Sequence, residues 1–234
     1  MDLLHNKICL IGNSHTSQFD ENNLMDVLYG YGASIFGLLN ENSVLRLKDE
    51  ILNYQKNHPE KILVFFLGQT DIEFIYYYRC VQQNKKIDIN LYIDDLIHKY
   101  IYFIKTYITN NCILLGINPN VIKDNIHIFN VNFRAGNKSD PNGTHNPKAK
   151  YEDYLDIYND SYETRFSYNI QFNNKLKSTC IENNIKYCDL NKHIIDENGN
   201  VRNEYLHANL DHHLKPNRFL FLCLLEEIKR LTII

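Results

Sequence analysis

The stretch KICLIGNSHTSQF, Lys7 to Phe19, decides how the rest of the chain is read. It opens as a continuous apolar run, Ile8-Cys9-Leu10-Ile11, with no polar alternation. A strand of that kind is buried on both faces, as in a parallel sheet covered by helices. The run stops at Gly12, and Asn13, Ser14 and His15 follow where a helix is expected to begin. Two readings of Ser14 compete here. Serine is a preferred cap for a helix N-terminus, and a hydroxyl at a strand end is also where a nucleophile can be held.

Working outward, KILVFFLG (61–68), NCILLGI (111–117) and IKYCDL (185–190) repeat the same apolar pattern, and LYGYGASI (28–35) is a weaker fifth run. Between them lie stretches of helical period. SVLRLKDEILNYQK opens at Ser43 and sets Val44, Leu47, Ile51 and Tyr54 on one face; 91–108, 168–184 and 215–231 behave alike, the last with Pro216 expected in its first turn. Strands alternating with helices predict an α/β fold, a three-layer α/β/α sandwich on a parallel sheet. The segment from 118 to 163 is rich in Gly, Pro, Asn and Asp and has little regular period, so it reads as a long loop insertion within one domain spanning 1–234.

Composition narrows the function classes. The chain has 234 residues, 44% hydrophobic and 23% charged, enough for one domain with a substantial core. Its 25 basic and 28 acidic residues nearly balance, which gives no electrostatic reason to expect nucleic acid or an anionic membrane as partner. The six cysteines form no CxxC pair and no zinc-type spacing, and several lie in apolar runs, a usage that fits a reducing compartment. With no signal-peptide pattern and no apolar run of membrane-spanning length, the expected location is cytoplasmic. Glycosylation-type triplets begin at Asn137, Asn142 and Asn159, as chance supplies in an Asn-rich chain.

In a parallel sheet the ligand site lies beyond the carboxyl ends of the strands. Those ends carry Gly12-Asn13-Ser14-His15, Gly32-Ala33-Ser34, Gly68-Gln69-Thr70-Asp71 and Asn118-Pro119-Asn120, and HANLDHHLKPN (207–217) precedes the last helix. Acyl transfer needs a serine hydroxyl, a base, a group to orient the base and donors for the oxyanion. Ser14 can offer hydroxyl and backbone N–H, and Gly32 a second N–H with no side chain in the way.

These blocks, in this order, resemble the SGNH (GDSL-type) hydrolase superfamily. IGNSHT resembles its first block, with the nucleophile after the first strand; Gly32 resembles the glycine of the second; FFLGQTD the third; and DHHLKPN the last, which brings the base histidine. Ser14-His15 together with Asp71-Ile72-Glu73-Phe74 and the following tyrosines resembles members linked to polysaccharide modification. The resemblance implies a flavodoxin-like sheet, Ser14 as nucleophile, His213 as base with His212 as alternative, and Asp211 as orienter. It implies an oxyanion hole of Ser14, Gly32, and Thr70 or Gln69, with Gly30 and Gly37 as alternatives to Gly32. Asn13, His15 and Asp71 fall to substrate binding or to the setting around the nucleophile, Asp71 mainly holding loops. Two departures stand out. Thr70 occupies the position of the family's oxyanion asparagine, and Asp211 lies two residues before His213 where the family spaces them by three.

The expected function is therefore a serine esterase or O-acyltransferase acting on a small-molecule or glycan ester, carbohydrate O-acetyl groups first among them, with no cofactor and no metal. Two rivals are a catalytically impaired glycan- or protein-binding module, and a metal-dependent hydrolase at His207, Asp211, His212 and His213. Neighbouring histidines seldom face one ion, which weighs against the metal. Arg165 reads either as an anion contact or as a structural ion pair. The absence of a GxSxG elbow argues against the α/β-hydrolase fold.

Overall fold

The computed structural model describes residues 4–19, 24–135, 146, 148–207 and 211–232. The triplets at Asn137 and Asn142 lie outside them. Five strands, β1 (Ile8–Gly12), β2 (Asp26–Tyr29), β3 (Ile62–Phe66), β4 (Cys112–Leu115) and β5 (Lys186–Cys188), form one sheet in the order β2-β1-β3-β4-β5. Every pairing is parallel, with Cys9 opposite both Asp26 and Leu63. This is the flavodoxin-like order, and its switch point falls between β1 and β3.

The helices are α1 (Ile35–Leu38), α2 (Leu47–Asn57), α3 (Tyr76–Gln82), α4 (Ile89–Tyr107), α5 (Asn125–Asn130), α6 (Tyr162–Glu182), α7 (Asn191–Ile194) and α8 (Arg218–Thr232). Side chains alternate across the strands and so feed two cores. Cys9, Ile11, Leu63, Phe65 and Leu114 pack under α1 to α6, and Ile8, Leu10, Val64, Phe66 and Ile113 pack under α7 and α8. On α8 the buried stripe is Leu220, Phe221, Leu224 and Ile228, each worth about 1.5–3 kcal/mol when fully buried. The molecule is a three-layer α/β/α sandwich. No helix among the described residues is long and apolar enough to cross a membrane.

The structure corrects several local expectations. Pro216 is not in the first turn of α8. Asn217 precedes that helix, and its Oδ1 accepts from the N–H groups of Phe219 at 2.8 Å and Leu220 at 3.3 Å. Val44 is exposed and lies before α2, whose start follows Arg46 in a left-handed conformation (φ 48°). The segment 118–163 contains α5, a π-helical turn at Val131–Ala135 and a 3-10 turn at Tyr151–Tyr154. Its Phe129, Phe133 and Tyr158 are buried in the core, a packing of aromatics that no helical period announces because the helical pieces are too short.

Gly68 ends the β3 run with φ +114°, and a Cβ there would sit 2.6 Å from the Phe172 ring. Strain and clash act together, so Gly68→Ala is expected to lower the unfolding free energy by about 2–4 kcal/mol, measured by urea denaturation.

Candidate active site

The site is built at the carboxyl ends of β1 and β3. Gly12 closes β1, and Ser14–Phe19 turns directly into a short 3-10 helix. Asn13, fully buried, organises that turn. Its Oδ1 accepts from the N–H of His15 at 3.0 Å, and its carbonyl accepts from the N–H of Thr16 at 3.0 Å and the hydroxyl of Thr16 at 2.9 Å. Asn13 thus fills the capping role at this turn, and the Ser14 side chain is turned to another partner. Ser14 Oγ lies 2.8 Å from His213 Nε2.

On the far side of the imidazole, His213 Nδ1 lies 2.6 Å from Asp211 Oδ1, which also accepts from the N–H of His213 at 3.0 Å. An ionised carboxylate can only accept, so Nδ1 carries the proton and Nε2 presents its lone pair to the Ser14 hydroxyl. Partial burial raises the pKa of Asp211, but the hydrogen bonds from the His213 ring and backbone outweigh it and hold the carboxyl below its ordinary value. The two-residue spacing works because one carboxylate oxygen turns back on both the backbone and the ring of His213. His212 lies beside His213 but is hydrogen-bonded to another partner. Its Nδ1 is 3.3 Å from Nε2 of His127, and its ring lies edge-on to Phe74 at 5.1 Å. Burial and the neighbouring imidazoles of His213 and His127 push its pKa down to about 4. His15 is buried behind the pair, its ring centroid 4.5 Å from that of His213, and burial followed by repulsion from His213 and His212 keeps it neutral.

Thr70, at the end of β3, accepts from Asn13 Nδ2 at 3.0 Å. That bond spans the switch point and occupies a lone pair of the hydroxyl without using its proton. Gly32 is exposed, in the left-handed region (φ +74°), with open space where a side chain would be. It lies just before α1, whose first N–H groups, of Ile35 and Phe36, reach the Asp71 carboxylate at 2.9 and 3.5 Å. Asp71 is completely buried, and its pKa is raised by burial, against the pull of those N–H groups, to about 7. It ties the end of β3 to the start of α1, beside the loop carrying Gly32.

The Gln69 side chain is committed to the interior. It is buried, its Nε2 donates to Glu73 Oε1 at 2.5 Å and to the Asn118 carbonyl at 3.3 Å, and its Oε1 accepts from the Asn118 N–H at 2.8 Å. Gln69 and Thr70 open the helical turn that follows Gly68, and Gln69 takes its inward side. Arg165 is likewise interior, donating to the carbonyls of Asp160 at 2.5 Å and Ile122 at 2.7 Å and to Asn125 Oδ1. Glu73, in the same buried network, has its pKa pushed by burial to about 8. A carboxyl raised in the folded state binds a proton there that the unfolded chain releases above about pH 4.5, so stability falls as pH rises toward 8 and the effect vanishes below that lower value. The expected slope is up to about 1.4 kcal/mol per pH unit for one such group. Glu73→Gln, which keeps the acceptor oxygen, is expected to reduce the loss of melting temperature between pH 5 and pH 8.

A cleft of about 540 Å³ opens beside Ser14 and His213. Met25, Val27, Tyr29 and Tyr31, alternate residues along β2 and its continuation, form its apolar wall, and His207 and Asp211 stand at its polar side. The i, i+2 spacing of that wall is visible in the sequence; its facing Ser14 is not. His127 had no signal at all, since it reaches His212 from 85 positions away.

No protein-family model matches the chain, and no curated protein matches it either. Solved structures do. A proposed acylhydrolase from Bacteroides fragilis aligns over 96% of this chain and 85% of its own at a TM-score of 0.50 and 10% identity. A proposed SGNH hydrolase from Slackia heliotrinireducens aligns over 95% and 98% at 0.51 and 13% identity. The chain has the SGNH hydrolase fold. The OSK domain of Drosophila Oskar aligns as closely, over 100% of this chain and 94% of its own at 0.51 and 13% identity. Likeness at such identities speaks to the fold, and activity must be argued from the site.

Proposed function

We propose that the protein is a serine-dependent acyl-ester hydrolase or O-acyltransferase working through an acyl-enzyme. One observation carries this reading: the unbroken chain from Ser14 Oγ through His213 to Asp211, at 2.8 and 2.6 Å. In the proposed cycle the Ser14 oxygen attacks the acyl carbonyl as His213 Nε2 takes its proton. Asp211 holds the imidazolium that forms. The tetrahedral oxyanion is received by the N–H groups of Ser14 and Gly32 and by the Thr70 hydroxyl, whose proton the Asn13 bond leaves available. Collapse returns the proton from His213 to the departing alkoxide and leaves the acyl group on Ser14. Water, or an acceptor hydroxyl activated by the same nitrogen, then releases it.

The substrate class proposed is a carbohydrate O-acetyl or similar small ester. Tyr29 and Tyr31 on the cleft wall suit the apolar face of a sugar ring, while Met25 and Val27 suit a short acyl chain. No nucleic acid or membrane partner is proposed. The test is reaction with a fluorophosphonate probe, alongside release of acetate from acetylated sugars and short aryl esters. A folded protein that neither labels nor turns over any of these refutes the hydrolase reading.

A further inference from the structure

We propose that His15, His212 and His213 form a site for a divalent transition-metal ion, zinc above all, and that the ion silences the serine by withdrawing His213 from it. The proposal rests on the reading of Ser14 and His213 as the working pair. One potential ligand atom from each histidine lies within 4.8 Å of the others. Ligands on a tetrahedral zinc, with Zn–N about 2.0–2.1 Å, stand about 3.3 Å apart. The nitrogens are therefore at most about 1.5 Å further apart than ligands on one zinc ion. The adjacent histidines that would ordinarily diverge instead lie with ring centroids 3.9 Å apart, and His15 faces them at 5.5 and 4.5 Å.

Two further observations point to a ligand. His15 is only 2% exposed, and its Nδ1 is buried with no hydrogen-bond partner among the described residues, a costly condition for an imidazole nitrogen. His212 Nδ1 is engaged by His127 Nε2, which leaves His212 Nε2 as the nitrogen to ligate and supplies the outer hydrogen bond that ligating histidines normally carry. Asp211, 2.6 Å from His213 and 3.7 Å from His212, adds a negative charge at the rim. An all-imidazole set favours zinc, copper or nickel over magnesium or calcium.

The consequence for chemistry follows from the two nitrogens of His213. Nε2 meets Ser14 and Nδ1 meets Asp211, so a neutral imidazole has one lone pair, and that pair is the base. A metal ion on either nitrogen consumes it. The ion would therefore act as an inhibitor of serine chemistry rather than as its cofactor.

The decisive experiment is a titration of chelator-treated protein with Co²⁺, followed by the intense visible absorption of the four-coordinate ion, with Zn²⁺ competition. Wild type and Ser14→Ala should bind one equivalent, and His15→Ala and His212→Ala should bind at least about tenfold more weakly. His15 is in the interior; His212 is half-buried, so its variant keeps the test open if the other fails to fold. Saturating Zn²⁺ should slow fluorophosphonate labelling of the wild type at least about tenfold, reversibly with EDTA. In either histidine variant the ratio of rates with and without Zn²⁺ should approach one, whatever its own basal rate. Absence of binding, binding indifferent to both substitutions, or bound zinc that leaves labelling unchanged or faster overturns the proposal. If Ser14 never labels, the cobalt titration still decides the metal site by itself.

Discussion

Ser14→Ala is expected to abolish fluorophosphonate labelling and to lower ester turnover by about 10⁴-fold or more. The size of the effect follows from the covalent step: without Oγ no acyl-enzyme forms, and what is left is the rate supplied by oxyanion donors and binding alone. The substitution removes one hydroxyl from a half-buried position. The turn itself is held by Asn13, His15 and Thr16, so stability should change by less than about 1 kcal/mol. Loss of labelling with an unchanged melting curve is the outcome that supports the nucleophile. Undiminished labelling in the alanine variant would place the reactive serine elsewhere and remove the basis of the proposed mechanism.

His213→Ala should cost about as much, about 10⁴-fold in kcat/KM, whereas His212→Ala in metal-free buffer should stay within about tenfold of wild type. The two side chains are neighbours in sequence and differ in what they touch. One reaches Ser14 at 2.8 Å, and the other is turned to His127 and the Phe74 ring. If Ser14 and His213 act as a unit, as proposed, Ser14→Ala combined with His213→Ala should be scarcely worse than either alone. The ratio of the two histidine variants, on one short aryl ester, is the measurement. Equal losses would mean that the cluster as a whole, rather than one ring, serves the serine.

How much of this could be read from the chain depends on whether a feature is local. The strand runs were legible because residues such as Ile8–Ile11 and Ile62–Phe66 are apolar on both faces, which only a covered parallel sheet requires. Such a sheet directs attention to its carboxyl edge, where Ser14, Gly32 and Thr70 lie. The proximity of His213 to Ser14 could be anticipated from block order, but not which of two adjacent rings makes the contact. That choice is made by Asp211, whose side chain bonds the His213 backbone and ring together. Gln69 reads from sequence as an alternative to Thr70, and only packing reveals that its side chain is bonded inward to Asn118 and Glu73. Asn13 illustrates the opposite case. Its capping of the turn is local and its bond to Thr70, 57 positions away, is not. His127 was beyond reach altogether, as it belongs to a segment whose composition suggests a loop.

Ser14 and His213 are 199 positions apart. Under the proposed mechanism, the serine leaves the ribosome long before the histidine that would act as its base, and until the two meet it is an ordinary alcohol. Domains fold as units once enough of the chain is present, so the proposed reactivity would arrive with the completed tertiary structure and not before it. A growing or unravelled chain carries no activated hydroxyl to attack esters at random.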